Sequence, residues 1–286
     1  MADNFKTLFR LYRQYAKMDL LWFLKDTRYF LIQLISDVVS GGCTIAGVCL
    51  LSIHFENFTG MTQNEILFMM GYSLFIDGIF MVFFIGNNTG MISRIIGRGQ
   101  LDHIMIQPVP LWAELLAQGF SPVSGSPMLV FGIALTYYGA KKAVIPINLF
   151  MILLFLFFSI CSIVIVMSFI YLLSCLAFYA PAAAEEIAGV GRDLFSTLKT
   201  YPLGNMRGIQ KHLFLSAIPV GLCAWYPSML LIKAGKYGAG AVFVPEALYL
   251  PAAAAIFSVI TVFTFKKGMK HYEKSGCPRY SGFGHR

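Results

Sequence analysis

Charge is scarce in this chain. Asp, Glu, Lys and Arg together make up 13% of its 286 residues, about half of the roughly 25% usual in soluble domains. So little charge beside 57% hydrophobic residues excludes a soluble globular domain, which could not cover its surface with polar groups. Paired cysteines are also missing. Cys43, Cys49, Cys161, Cys175, Cys223 and Cys277 form no CxxC or CxxH pair, and five of them lie in or beside apolar runs. They read as thiols buried in an apolar setting, not as a disulfide or zinc framework. His54, His103, His212, His271 and His285 are scattered, with no pair at metal-ligand spacing. There is no GxxxxGK[ST] phosphate cradle, no HExxH, no GxSxG and no kinase signature set. The loops between apolar runs are too short to house a soluble catalytic domain. The expectation is a chain with no catalytic residue and no metal site, although a nucleophile and base converging from separate spans stays open. The opening MADNFKTLFRLYRQYAK has charges spread where a cleavable signal peptide needs an apolar core, so none is expected.

What the chain does have is long apolar runs, several of which exceed the roughly 18–20 residues that cross a bilayer core. The expected fold is an all-α membrane protein with six transmembrane helices. The spans run over about 29–53, 66–85, 115–138, 144–177, 213–232 and 247–265. Residues 1–28 form an N-terminal segment, 29–265 the transmembrane domain, and 266–286 a basic tail. Two polar connectors interrupt the domain, at 90–112 and 178–212, and the middle of the second can form a helix near the interface. Within residues 5–24, Phe5, Leu8, Phe9, Tyr12, Ala16, Leu20 and Phe23 recur at helical spacing, with Lys6, Arg10, Arg13 and Lys17 largely on the other side. That amphipathic pattern suits a helix lying in the membrane interface; a partner-binding helix or an ordinary packed helix would share it. The third span is unusual. Gly119, Pro122, Gly125 and Pro127 fall inside the apolar run, and broken backbone at membrane depth is tolerated only against protein or a wet cavity. This segment is expected to face the bundle interior or a dimer interface. Asn57-Phe58-Thr59 is formally a glycosylation sequon, a triplet that also arises by chance.

The net charge is +8, which in a soluble protein would raise nucleic acid as a partner. Here the positive residues sit at span ends. Eighteen Lys and Arg residues fall in the N-terminal segment, the two connectors and the tail, against four, Lys141, Lys142, Lys233 and Lys236, on the other face. The positive-inside rule places both termini and both connectors in the cytoplasm. No nucleic-acid partner is expected; membrane lipid is. Two acids lie within spans, Asp37 and Asp77. A carboxylate at depth is costly and faces a wet cavity or a partner. Each is a candidate for lining a pathway or holding a proton, or for a hydrogen bond to a neighbouring helix.

The first connector, Ser93 to Trp112, concentrates glycine, charge and proline. Gly97 and Gly99 permit a sharp turn. Leu101, Ile104 and Met105 can present a small apolar knob, and Pro108 and Pro110 stop the helix before the third span. Gly99-Gln100-Leu101-Asp102 and Ile106-Gln107-Pro108-Val109 resemble the G-x-LD-x-hh-h-x-P connector of type-2 ABC exporter permeases, where h is apolar. Tyr201-Pro202, Ile218-Pro219 and Tyr226-Pro227 resemble that family's proline motifs around the fifth span, and Tyr272-Glu273-Lys274-Ser275-Gly276 its terminal Y-x-S-x-G. The match runs in order along nearly the whole chain. It departs at Gln107, where the family often has a basic residue.

The resemblance implies the permease subunit of an ATP-binding cassette exporter in the bacterial cytoplasmic membrane, moving an amphipathic or hydrophobic compound outward. It implies a second permease subunit, identical or homologous, and a separate ATP-binding cassette subunit that holds ATP and Mg. It assigns the N-terminal helix to a connecting helix at the inner leaflet. It assigns Arg98, Gly99, Leu101, Asp102, Ile104 and Pro108 to the element that docks on the ATPase, and the glycine-rich segment from Lys233 to Glu246 to the outer end of the pathway. If Asp77 lines a pathway or holds a proton, Asp77→Asn alters transport more than expression. The rival readings are an ion-coupled secondary transporter with Asp77 as coupling acid, which should show paired broken helices in both halves, and a non-transporting membrane scaffold or immunity protein.

Overall fold

Glycine spacing sets the frame of the fold. In the computed structural model, which describes residues 2–85, 92–204, 206, 208–238 and 244–276, helix α3 (Gln63–Phe80) runs antiparallel to α7 (Ser126–Lys142) at backbone-contact distance. Gly71 and Gly78 lie seven residues apart on α3, and Gly132 and Gly139 seven apart on α7, with Gly125 seven before them. Seven residues is close to two helical turns, so each set forms a stripe on one face. A Cβ added at Gly71 would lie 2.5 Å from the Thr136 nitrogen, at Gly78 2.4 Å from Leu129 Cα, at Gly132 2.5 Å from the Phe75 nitrogen, and at Gly139 2.6 Å from Phe68 Cα. The register holds without a slip from one end of the pair to the other. Small residues of this kind let two backbones meet where lipid supplies no hydrophobic drive between helices.

Around this pair the chain adds α1 (Ala2–Lys25), α2 (Thr27–Thr59), α8 (Leu149–Ser174) and α12 (Val244–Ser275). Short helices fill the connectors: α4 (Ile92–Gly97), α5 (Gln100–Met105), α6 (Leu111–Ala117), α9 (Pro181–Leu198) and α10 (Ile209–Leu215), with α11 (Trp225–Tyr237) before the last long helix. Among the described residues there is no strand. Among the described residues, three helical stretches are long and apolar enough to cross a membrane: Gln63–Phe84, Leu149–Phe178 and Pro245–Ser275. A fourth span is possible if α10 and the segment from Pro219 to Tyr237, bent by 56°, count as one. Of the six expected spans, the first lies within α2, whose described apolar stretch is Val38–Gly47. The third is broken into α6 and the 17-residue α7. The fourth starts later than expected: Val144 has φ 56° and the chain turns there, so the helix begins at Leu149, capped by the Asn148 side chain accepting from the Met151 N–H at 2.9 Å. The fifth span, which carries Pro219 and Pro227, is interrupted. Pro219, which lacks an N–H, starts a one-turn 3-10 helix through Leu222 between α10 and α11, and this stretch is buried against the bundle.

The break in the third span is held from two sides. The backbone N–H of Ser121 donates to the Val82 carbonyl at 2.7 Å, and its hydroxyl to the Met81 carbonyl at 3.1 Å, where the end of α3 widens into a π-helical stretch, Met81–Ile85. From α1, Asp19 accepts from the Val123 N–H at 2.7 Å, the Ser124 N–H at 3.2 Å and the Ser124 hydroxyl at 2.5 Å. The break therefore faces protein, as its glycines and prolines suggest.

α1 has its own protein contacts. Tyr15 donates to Glu114 Oε1 at 2.5 Å, and Tyr12 packs edge-on against Phe120 at 4.9 Å. Burial, then the hydrogen bond and charge of Glu114, holds the Tyr15 phenol above its usual pKa range. The inward face of α1 comprises Leu8, Leu11, Tyr12, Tyr15, Ala16, Asp19 and Phe23, while Phe9, Leu20, Leu21, Trp22 and Leu24 point away from the protein. The expected apolar face is thus shared between protein and surroundings; the Phe5 side chain lies outside the described residues.

Gly132→Ala drives a methyl group into the α3 backbone and is expected to destabilise the protein by about 1–3 kcal/mol. Gly42→Ala, whose added Cβ meets nothing within 4 Å, should be neutral or gain up to about 1 kcal/mol of helix propensity. Thermal unfolding in mild detergent separates the two; equal shifts would refute the close-contact account.

Candidate functional site

The sequence motifs converge at one end of the bundle. α4 and α5 fold back on each other through Gly99, whose φ of 69° no β-branched or bulky side chain adopts readily. Leu101 and Ile104 then point inward, 0% and 5% exposed, into a second core with Ile92, Ile95, Ile96, Phe178 and Tyr272. This corrects the expected apolar knob: two of its three residues are anchors, buried because the turn at Gly99 lays α5 onto α4. The side chains that do face outward are Met105, 42% exposed, and Ile106, 80% exposed, followed by exposed Pro108.

Three polar links tie this inner cap to the rest. Tyr272, near the end of α12, donates its hydroxyl to Asp102 at 2.6 Å. The terminal Y-x-S-x-G segment and the connector are thus one structure, with Gly276 (φ 74°) ending the helix just after Tyr272. Arg94 and Arg98 both reach Glu185 on α9, at 3.2 and 3.5 Å. At the other end of α9, Lys199 forms an ion pair with Asp77 on α3. Lys199 is 2% exposed and Asp77 22%. Helix α9 is also fixed along its length, where Phe195 stacks on Phe169 of α8 at 4.9 Å. It runs as a strut from the connector to the glycine-packed pair.

Of the site residues expected from sequence, Arg98, Gly99, Leu101, Asp102 and Ile104 come together in the inner cap, with Pro108 on the exposed run that follows. Asp77 lies apart, joined to them through α9. The side chain of Asp37 lies outside the described residues, as do those of Asn57 and Thr59, and as do Cys277 and residues 239–243 of the glycine-rich segment. Lys199 and Glu185 were missed. Lys199 was counted only as a topology charge, and nothing local marks either residue as the partner of one so distant in sequence. At the opposite end, Lys236 pairs with Glu65 at 2.6 Å and Lys233 with Glu246 at 2.7 Å, so the C-terminal end of α11 is tied to the starts of α3 and α12.

With this geometry established, comparison with known families is decisive. A family model described as ABC-2 family transporter protein matches residues 39–276. The chain belongs to the ABC-2 transporter family. It is a multi-pass membrane transport component of a family whose permeases work with ATP-binding subunits. No curated protein and no solved structure matches the chain.

Removing one partner of a buried ion pair strands the other and costs about 3–5 kcal/mol. Asp77→Asn is expected to fall at the low end of that range, since Asp77 is partly exposed, and to lower folding yield as well as transport. The double variant Asp77→Asn with Lys199→Met should recover most of the loss in a detergent melting assay. Simple additivity of the two single losses would show that the pair is not coupled.

Proposed function

We propose that this subunit is the permease of an ATP-driven exporter in the bacterial cytoplasmic membrane. α2 and the two-piece third span would complete six crossings, with both termini cytoplasmic. Two permeases, identical or homologous, would flank a pathway for an amphipathic or hydrophobic compound, and a separate cassette subunit would bind ATP and Mg. The observation that carries this reading is the outward pair Met105 and Ile106, beside a turn whose Leu101 and Ile104 are sunk in the inner cap. An exposed apolar tip on an anchored turn suits docking into a groove of a partner protein. Movement of that tip would reach α12 through Asp102 and Tyr272, and α3 through Glu185, α9, Lys199 and Asp77. This is a shear linkage between rigid pieces.

The pairing of Asp77 with Lys199 supports a structural role for that acid over ion coupling, because its charge is already met by a buried lysine. Leu101, being buried, is a poor test of docking; its replacement would disturb the cap itself. Ile106→Asp leaves the cap intact and should abolish co-purification of the ATP-binding subunit while the permease still folds. A variant that retains both the subunit and nucleotide-dependent transport would overturn the docking assignment.

A further inference from the structure

A cavity of about 260 Å³ opens on the side of the bundle between α3, α7 and α8, lined by Phe68, Phe75, Ile133, Tyr137, Met151 and Phe155 among others. It lies at the end opposite the inner cap, beside the turn that joins α7 to α8. Its wall is almost wholly apolar. The one aliphatic hydroxyl in the lining, that of Thr136, donates at 2.7 Å to the Gly132 carbonyl, so its proton is already committed to the helix. Ile133, Tyr137 and Ile147, each about half exposed, sit at the rim. The space is larger than the ~150 Å³ apolar cavity that stays dry and admits benzene, so an apolar chain has room to enter. The rim also carries charge: Lys141 is exposed and holds its Nζ over the Tyr137 ring, 4.6 Å from the centroid, with Lys142 likewise 5.7 Å from Tyr138. Among the described residues no carboxylate pairs with either lysine. An apolar slot open to the side, with an ammonium group fixed at its mouth, matches a lipid that has an apolar tail and a negative headgroup.

We propose that this cavity binds one acyl chain of an anionic phospholipid from the leaflet on the Lys141 side, with the headgroup phosphate held by Lys141. The site rests only on the membrane reading; neither ATP nor a partner subunit enters its test. The full chain is reconstituted in liposomes with a trace of phosphatidylglycerol carrying a photoreactive group on its acyl chain. The labelled peptide is then mapped. Labelling concentrates on the Met151–Phe155 turn of α8. Ile133→Trp, a change at a half-exposed rim position that need not disturb the core, blocks the slot. It lowers that labelling about tenfold, the effect of excluding roughly two methylene groups at ~0.8 kcal/mol each. Lys141→Glu lowers the preference for phosphatidylglycerol over a phosphatidylcholine probe of the same chain length about fivefold. Labelling spread evenly along the helices, or unchanged by Ile133→Trp, would overturn the acyl-chain site. Equal labelling by the two lipids in the unaltered protein would overturn the anionic assignment.

Discussion

Backbone contact between α3 and α7 is the constraint from which the rest follows. Lipid offers two apolar helices no reason to prefer each other over hydrocarbon tails, so their association depends on how closely they pack. Removing side chains at five positions brings the two backbones together, and the matched spacing fixes their register. Once that pair is set, the end of α3 is where the broken third span must be satisfied, and Asp77 is held at a fixed depth. The side cavity also follows from it, because α7 leans on α3 at its glycine face and leaves its other face, with Ile133 and Tyr137, as one wall of a gap against α8.

The polar links lie outside that contact and connect pieces that close packing would otherwise leave independent. Each joins residues far apart in sequence: Asp102 to Tyr272, Arg94 and Arg98 to Glu185, Asp77 to Lys199. None is needed to bury apolar surface, which the isoleucines of α4 and Phe178 already do. They set orientation. The two-arginine clamp on Glu185 is partly exposed, as are both arginines, and exposed pairs contribute little stability. Its value is in fixing the angle of α4 against α9. The Asp77–Lys199 pair is different in kind: a lysine almost without solvent contact depends on its one carboxylate, so any rearrangement that separates them must supply another partner.

Much of this was legible in the sequence, and the limits have physical reasons. The membrane class followed from composition, and the connector and the tail motif were visible as segments because glycine and proline are read locally. The break in the third span was visible for the same reason. That Leu101 turns inward was not, since an apolar residue in a polar connector fits a docking knob and a core anchor equally well, and only the fold-back at Gly99 decides between them. The glycine ladder was present in the letters at intervals of seven, but its meaning depends on two helices meeting antiparallel, which no single run records. The broken fifth span was marked by Pro219, yet proline is compatible with a kink or a full interruption. Lys199 and Glu185 had no local signature.

Asp19 changes what the N-terminal helix is. Its carboxylate accepts from two peptide N–H groups, those of Val123 and Ser124, in the break of the third span. A helix resting on a bilayer could slide or roll freely; one whose acid completes the backbone of another segment cannot leave without taking the acceptor away from those donors. Helix α1 and the interrupted span are therefore coupled through this one acid. Tilting of either one pulls on the other, and shortening the chain from its start would remove an acceptor from a segment about a hundred residues downstream.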